Sequence, residues 1–286
     1  MLKKDYRIIV KGPYSKENVT TNFFLENIND FTKKEITEID SQWNKIQEIA
    51  KKEKKILHDG KLLNLISFSA KKELKLNTKS TSYKHYAVGI KIDNKEIGEK
   101  LERNFPFSIS GLIKTSDNFF VLAERSSLTF MDQGKIHLIP AGHPEYNSKN
   151  FKFLKIDLFD EILKETKEEI GLSNMDIDEI FLLGIIENFI PPKPEIVFLI
   201  STKLKKSEIK NNFNQSSDKW EHKKLLFVEI TNKKIIDFIS LDKNKKLPVL
   251  RGSLELFLNM KLKWVKLILI SKYEDENQAN IIMRIN

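Results

Sequence analysis

The chain has 286 residues, 40% hydrophobic and 31% charged, with a formal net charge of +9 and no cysteine. That length supports one or two domains with a sizeable core, and the missing cysteines exclude disulfides, thiolate metal sites and a cysteine nucleophile, which fits a cytoplasmic protein. No apolar run reaches the roughly 18 residues of a membrane span, and MLKKDYRIIVKGPYS lacks the apolar centre of a signal peptide.

YRIIVKG (6–12) reads as a strand closed by Gly12-Pro13. Ile36, Ile39, Trp43, Ile46 and Ile49 recur at three- and four-residue steps, predicting a helix over 33–54. His58-Asp59-Gly60 marks a turn, and LLNLISFSA (62–70) and HYAVGIKI (85–92) read as strands. Beyond Phe105 the pattern becomes regular. SISGLIKT (108–115) and FFVLAER (119–125) flank a Ser116-Asp117-Asn118 turn as a hairpin, and KIHLIP (135–140) is a third strand. A helix over about 158–170 follows, then a strand at 181–188, a Pro-rich break at 190–195, and strands at 196–204 and 225–230. Leu254, Phe257, Leu258 and Leu262 predict a helix at 250–262, which WVKLILI (264–270) extends as helix or follows as a strand. This order implies an α/β (α+β) protein: a mixed sheet with helices packed on it, from about residue 104 to 270, preceded by a smaller α+β domain (1–103) and followed by a tail (271–286).

The basic residues are mostly lysines in scattered short groups (Lys51, Lys52, Lys54 and Lys55; Lys203, Lys205 and Lys206). No arginine-rich arm or zinc-finger spacing accompanies them, so a solvated surface is expected and nucleic acid is not the expected partner. An anionic small molecule would be served equally by such a field. Oligomeric state is left open.

One stretch runs against the basic trend. FDEILKETKEEIGL (159–172) carries Asp160, Glu161, Glu165, Glu168 and Glu169 against Lys164 and Lys167. On a helix, Glu161, Glu165, Glu168 and Glu169 share one face, while Phe159, Ile162, Thr166 and Ile170 share another that suits a sheet. Asp157 is a plausible N-cap and Gly171 fits the residue just past the end. Glu168 and Glu169 sit where the helix dipole disfavours anions by about 0.3–1 kcal/mol each. A solvated acidic face and a cradle for a hard cation both fit this charge pattern.

Lys164-Glu165-Thr166-Lys167-Glu168-Glu169-Ile170-Gly171-Leu172 resembles the second half of the Nudix box, REUxEExGU. Lys164 replaces the usual Arg, and Thr166 stands at an apolar position. The first half of the box is displaced: Asn150 and Ile156 occupy its Gly and Glu positions, and Pro140-Ala141-Gly142-His143-Pro144-Glu145 lies upstream instead. That displaced stretch is similar to the UDP-glucose-hydrolysing Nudix subfamily, as are DNFFVLAERS (117–126), EHKKLLFVEI (221–230), GSLELF (252–257) and Thr81-Ser82-Tyr83.

The resemblance implies a Nudix α/β/α sandwich and a Mg²⁺-dependent (or Mn²⁺-dependent) cytoplasmic hydrolase. Its substrate would be a UDP-sugar, cleaved to UMP and sugar 1-phosphate. It implies Glu165 and Glu169 as metal ligands, Glu168 as a supporting ligand or base, and Glu221 as a further ligand or general base. It implies Tyr83, Arg125, His143, Glu145 and His58 as substrate contacts. The alternatives are a Nudix hydrolase of ADP-ribose or a dinucleoside polyphosphate, and a non-catalytic nucleotide- or RNA-binding module.

Overall fold

The computed structural model describes residues 4–24, 31–146 and 156–273, with side chains as far as Lys261. Along the chain run β1 (Tyr6–Tyr14), β2 (Val19–Phe24), α1 (Lys33–Lys52), β3 (Lys61–Ala70), β4 (Leu74–Ser82), α2 (Tyr83–Gly89) and α3 (Lys95–Glu102). There follow β5 (Ser108–Lys114), β6 (Phe119–Arg125), β7 (Ile136–Leu138), β8 (Ala141–Gly142) and α4 (Leu158–Ile170). The last elements are β9 (Ile177–Phe189), β10 (Pro192–Thr202), α5 (Lys206–Phe213), β11 (His222–Glu229), α6 (Asn232–Ser240) and α7 (Pro248–Tyr273).

The large sheet has the order β1-β9-β10-β5-β6-β11, with β7 on β6 and β8 on β5. It is mixed: β10 and β5 are parallel, while β9–β10, β5–β6 and β6–β11 are antiparallel. Its central strands are buried on both faces, and the period of two divides them cleanly. Ile196, Phe198 and Ile200 of β10 enter one core with Phe159 and Ile162 of α4 and Ile209 of α5. Val197 and Leu199 enter the other with Ile235 of α6 and Leu254 of α7. Helices on both faces of a mixed sheet make the expected α/β/α sandwich.

A three-stranded sheet, β2-β4-β3, lies against the first of these cores, to which it contributes Leu63, Leu74 and Leu76. A third cluster packs α1, α2 and α3 through Ile39, Trp43, Ala87, Val88 and Leu101. The two sheets are also tied by polar contacts: Phe107 N–H donates to the Leu63 carbonyl (3.0 Å) and Asn64 Nδ2 to the Phe105 carbonyl (2.7 Å). Within the 1–103 segment, β1 is the exception. It pairs with β9 and forms the edge of the large sheet.

Two expectations are corrected. HYAVGIKI is not a strand: Tyr83–Gly89 is helical, with Tyr86, Ala87 and Val88 buried on consecutive positions. A short apolar run enclosed on all sides has no periodicity to separate helix from strand. The Pro-rich break is also shorter than expected. Only 190–191 form the turn, and β10 begins at Pro192. The strand tolerates Pro192 and Pro194 because this end pairs with β9 alone; pairing to β5 begins at Glu195. At the C-terminus, WVKLILI continues α7 as helix to Tyr273, and the remainder of the 271–286 tail lies outside the described residues. Among the described residues, no helix is long and apolar enough to cross a membrane.

Candidate active site

The acidic helix forms as its sequence dictates. Asp157 Oδ1 accepts from the backbone N–H of Phe159 (3.0 Å), and Gly171 ends the helix at φ 75°, a conformation most side chains resist. Phe159, Ile162 and Ile170 are buried against the sheet. Thr166, polar at an apolar position, is also fully buried, and its hydroxyl donates to the Ile162 carbonyl (2.6 Å), so no polar group is orphaned. The last-turn carbonyls are capped by the loop before β11: Ser216 Oγ donates to the Glu169 carbonyl (2.8 Å) and Asp218 N–H to the Glu168 carbonyl (2.9 Å). That loop thereby carries Glu221 to the acidic end of α4.

The four acids meet different fates. Glu169 is buried, 1% exposed. Its Oε1 accepts from Ala141 N–H in β8 (2.8 Å), and its Oε2 lies 2.5 Å from His222 Nε2 in β11. It joins three elements. Glu165 makes no hydrogen bond among the described residues, and its carboxylate lies against Gly142; a Cβ there would stand 2.3 Å from Glu165 Oε1. Glu168 and Glu221 line the same cleft.

Burial and crowding of like charges raise these groups together. Glu165 is pushed up to about 8, by burial first and then by Glu169 and Glu168. Burial raises Glu169 to about 8 against the pull of Ala141 N–H, and Glu221 to about 7 with the help of Glu169. Burial also drives His222 down to about 4, so it stays neutral beside Glu169.

Glu165, Glu168 and Glu221 line one wall of a cleft of about 620 Å³. The structure brings the other sequence-predicted residues to it. Arg125 ends β6, and its Nε donates to the Met131 carbonyl (3.3 Å); its guanidinium has no carboxylate partner among the described residues. His143, just after β8, stacks edge-on against Tyr83 at 6.0 Å between ring centroids. Tyr83 sits at the start of α2 and reaches the cleft from the smaller sheet's side; burial pushes its phenol up to about 12. His58 and Glu145 are exposed at the rim. Leu62 bridges to Glu145, and Tyr146 N–H donates to the Lys61 carbonyl (3.1 Å), which closes this end of the cleft against β3.

Sequence reasoning missed several groups. Lys193 lay in the supposed Pro-rich break. In β10 it donates to His143 Nε2 (2.8 Å) and sits 5.0 Å above the Tyr86 ring. Burial lowers it to about 8, and burial with the Lys193 charge holds His143 well below the usual imidazole value. The pair therefore presents a cation on lysine and a neutral ring. His222 also went unseen: simple alternation would place it on the face of Leu226 and Val228, and a bulge between His222 and Lys224 turns it to Glu169 instead. Glu195, His137 and Trp220 line the cleft as well.

A divalent ion is implied by the acidic cluster. Among the described residues, no group of three or more His, Cys, Asp or Glu side chains forms a ready cage. The donor set nevertheless fits Mg²⁺ or Mn²⁺: carboxylate oxygens only, concentrated beside an open cleft, where waters and a phosphate would complete the shell. Glu165 carries the strongest observation, a desolvated carboxylate among like charges with no hydrogen-bond donor among the described residues.

No protein-family model matches the sequence, and no curated protein gives a significant match. Solved structures similar to part of the chain include a MutT protein from Methanosarcina mazei Go1 (17% identity, TM-score 0.37, 55% of this chain and 94% of that one). A NUDIX hydrolase from Nitrosomonas europaea (17%, 0.34, 55% and 90%) and a C. elegans Ap4A hydrolase binary complex (13%, 0.32, 54% and 96%) are further examples. Likeness at this level assigns neither substrate nor chemistry.

Proposed function

We propose that the protein is a Nudix-type hydrolase that cleaves the pyrophosphate of a nucleotide sugar, with a UDP-sugar such as UDP-glucose giving UMP and glucose 1-phosphate. The observation that supports this most is the opposition within one cleft: the acidic side chains Glu165 and Glu168 of α4 line it together with the cations Arg125 and Lys193. A pyrophosphate bound together with a divalent ion would satisfy both walls at once. Without it, burial and crowding hold protons on Glu165 and Glu169.

Glu165, with Glu169 and Glu168, would hold the ion, which supplies charge neutralisation and polarisation of the phosphoryl oxygens. Arg125 binds phosphate through its guanidinium, whose fork matches phosphoryl oxygens. Lys193 adds a second positive charge, held in place by His143 and Tyr86. Glu221, raised to about 7, is poised to accept a proton from the attacking water. The water oxygen bonds to phosphorus as the bridging P–O bond breaks, and the departing oxygen leaves on the other phosphate. Tyr83 offers a ring face for a base or sugar. Glu169 takes an additional part: its bonds to Ala141 and His222 lock α4, β8 and β11 in register, so it positions Glu165 as well as supplying an oxygen.

The test is a panel of UDP-sugars, ADP-ribose and dinucleoside polyphosphates with Mg²⁺ or Mn²⁺, with products followed by chromatography. The proposal expects UDP-sugars to turn over fastest. A preference for adenine nucleotides would replace the substrate class, and tight RNA binding without any hydrolysis would replace the enzyme.

A further inference from the structure

The wall of the cleft formed by β9 and β10 has a use that the pyrophosphate chemistry does not absorb. Lys193 and Glu195 are two residues apart on β10, so they share a face. Asn188 of β9 is paired directly with Lys193, and Ser108 of β5 with Glu195, which places all four on that face. All four line the cleft. Ser108 Oγ donates to Glu195 Oε2 (3.0 Å), but Glu195 Oε1 and Asn188 Oδ1 are buried without a hydrogen-bond partner. His137 Nε2 stands 3.5 Å from Glu195 Oε1, beyond a good hydrogen bond. Glu195 is only 4% exposed, so water does not relieve it freely.

A buried acceptor without a donor is costly, and two on one cleft wall ask for hydroxyl groups. A second phosphate would be repelled by Glu195, and an apolar group would leave both acceptors unsatisfied. Tyr86, beneath Lys193, adds an aromatic surface on the same side. We infer that Glu195 and Asn188 form a polyol subsite that receives the hydroxyls of the substrate's sugar, with Lys193 beside it at the junction of sugar and phosphate. This inference rests on the nucleotide-sugar reading above and deepens it: specificity for a hexosyl group resides on β9 and β10, away from the carboxylates of α4.

The discriminating quantity is the ratio of kcat/KM for UDP-glucose to that for the P-methyl ester of UDP, which keeps the pyrophosphate but has no sugar. In Glu195→Gln and in Asn188→Ala, each measured in the full chain, that ratio falls about tenfold, the loss expected of one or two hydroxyl contacts. An unchanged ratio in both variants overturns the subsite, even if overall activity drops. A wild-type chain that hydrolyses neither ester contradicts the hydrolase reading instead, and the subsite is then decided by binding. Glucose 1-phosphate bound about tenfold more tightly than methyl phosphate supports it; equal affinities overturn it.

Discussion

Glu165 is the residue on which the electrostatics of the cleft turn. Its carboxyl is raised from 4.5 to about 8, so the folded protein binds that proton more tightly than the unfolded chain does. Such a group contributes stability below about pH 4.5, and the contribution is lost as pH rises through 8. In metal-free buffer, Glu165→Gln should therefore be more stable than wild type at pH 8, by about 1–3 kcal/mol, and close to it at pH 5. Paired thermal melts across that range check the sign. A variant less stable than wild type at pH 8 would mean that the carboxylate is already compensated within the protein. At this scale the sequence was informative where chemistry repeats along a helix and silent where it is assembled across strands. Glu165, Glu168 and Glu169 are legible because their spacing is fixed by the turn of one helix. Lys193 and Glu195 are not, because only the pairing of β10 with β9 and β5 brings them to the cleft, and His222 is not, because a bulge in β11 turns it to Glu169.

At the scale of elements, β8 packs tightly on α4. Gly142 is required there by proximity: a methyl group would overlap the Glu165 carboxylate. The clash falls on the end of a flexible side chain, so Gly142→Ala should fold normally while displacing Glu165. A loss of activity of at least about tenfold is expected, with circular dichroism unchanged; full activity would show that Glu165 has room to spare. The same two elements show what local patterns convey. α4 was readable to its caps because Asp157, the apolar stripe and Gly171 all agree. β4, LKLNTKSTS, went unrecognised because threonine and serine continue its inward positions, Thr78 (0% exposed) and Ser80 (9%). A strand whose inner face is partly hydroxyl carries little hydrophobic alternation, and it becomes a strand through pairing with β2 and β3.

Across the whole molecule, the smaller sheet does more than adjoin the larger one. Leu63, Leu74 and Leu76 belong to the same core as Ile109, Phe159 and Phe198. Two sheets sharing one core should unfold together. Calorimetry of the full chain should show one transition, and Leu76→Ala, which empties a fully buried site, should lower it as a unit by about 2–5 kcal/mol. Two separable transitions, with only the first moved by Leu76→Ala, would contradict a shared core. The architecture has a consequence for the cleft, because His58, Tyr83 and Tyr86 reach it from the elements around the smaller sheet while the carboxylates come from α4. The layering of helices on a mixed sheet was visible in the order of strands and helices. That β1 crosses to the edge of the sandwich was not, since an isolated YRIIVKG carries no mark of its partner β9.

The central claim is that the acidic end of α4 drives pyrophosphate hydrolysis at this cleft. Its most direct measurement compares wild type with the Glu165→Gln/Glu169→Gln double variant on UDP-glucose and Mg²⁺, scoring UMP and glucose 1-phosphate. Turnover by wild type that is abolished by chelation and falls at least about a thousandfold in the folded double variant is the predicted result; turnover that persists in the double variant would contradict it.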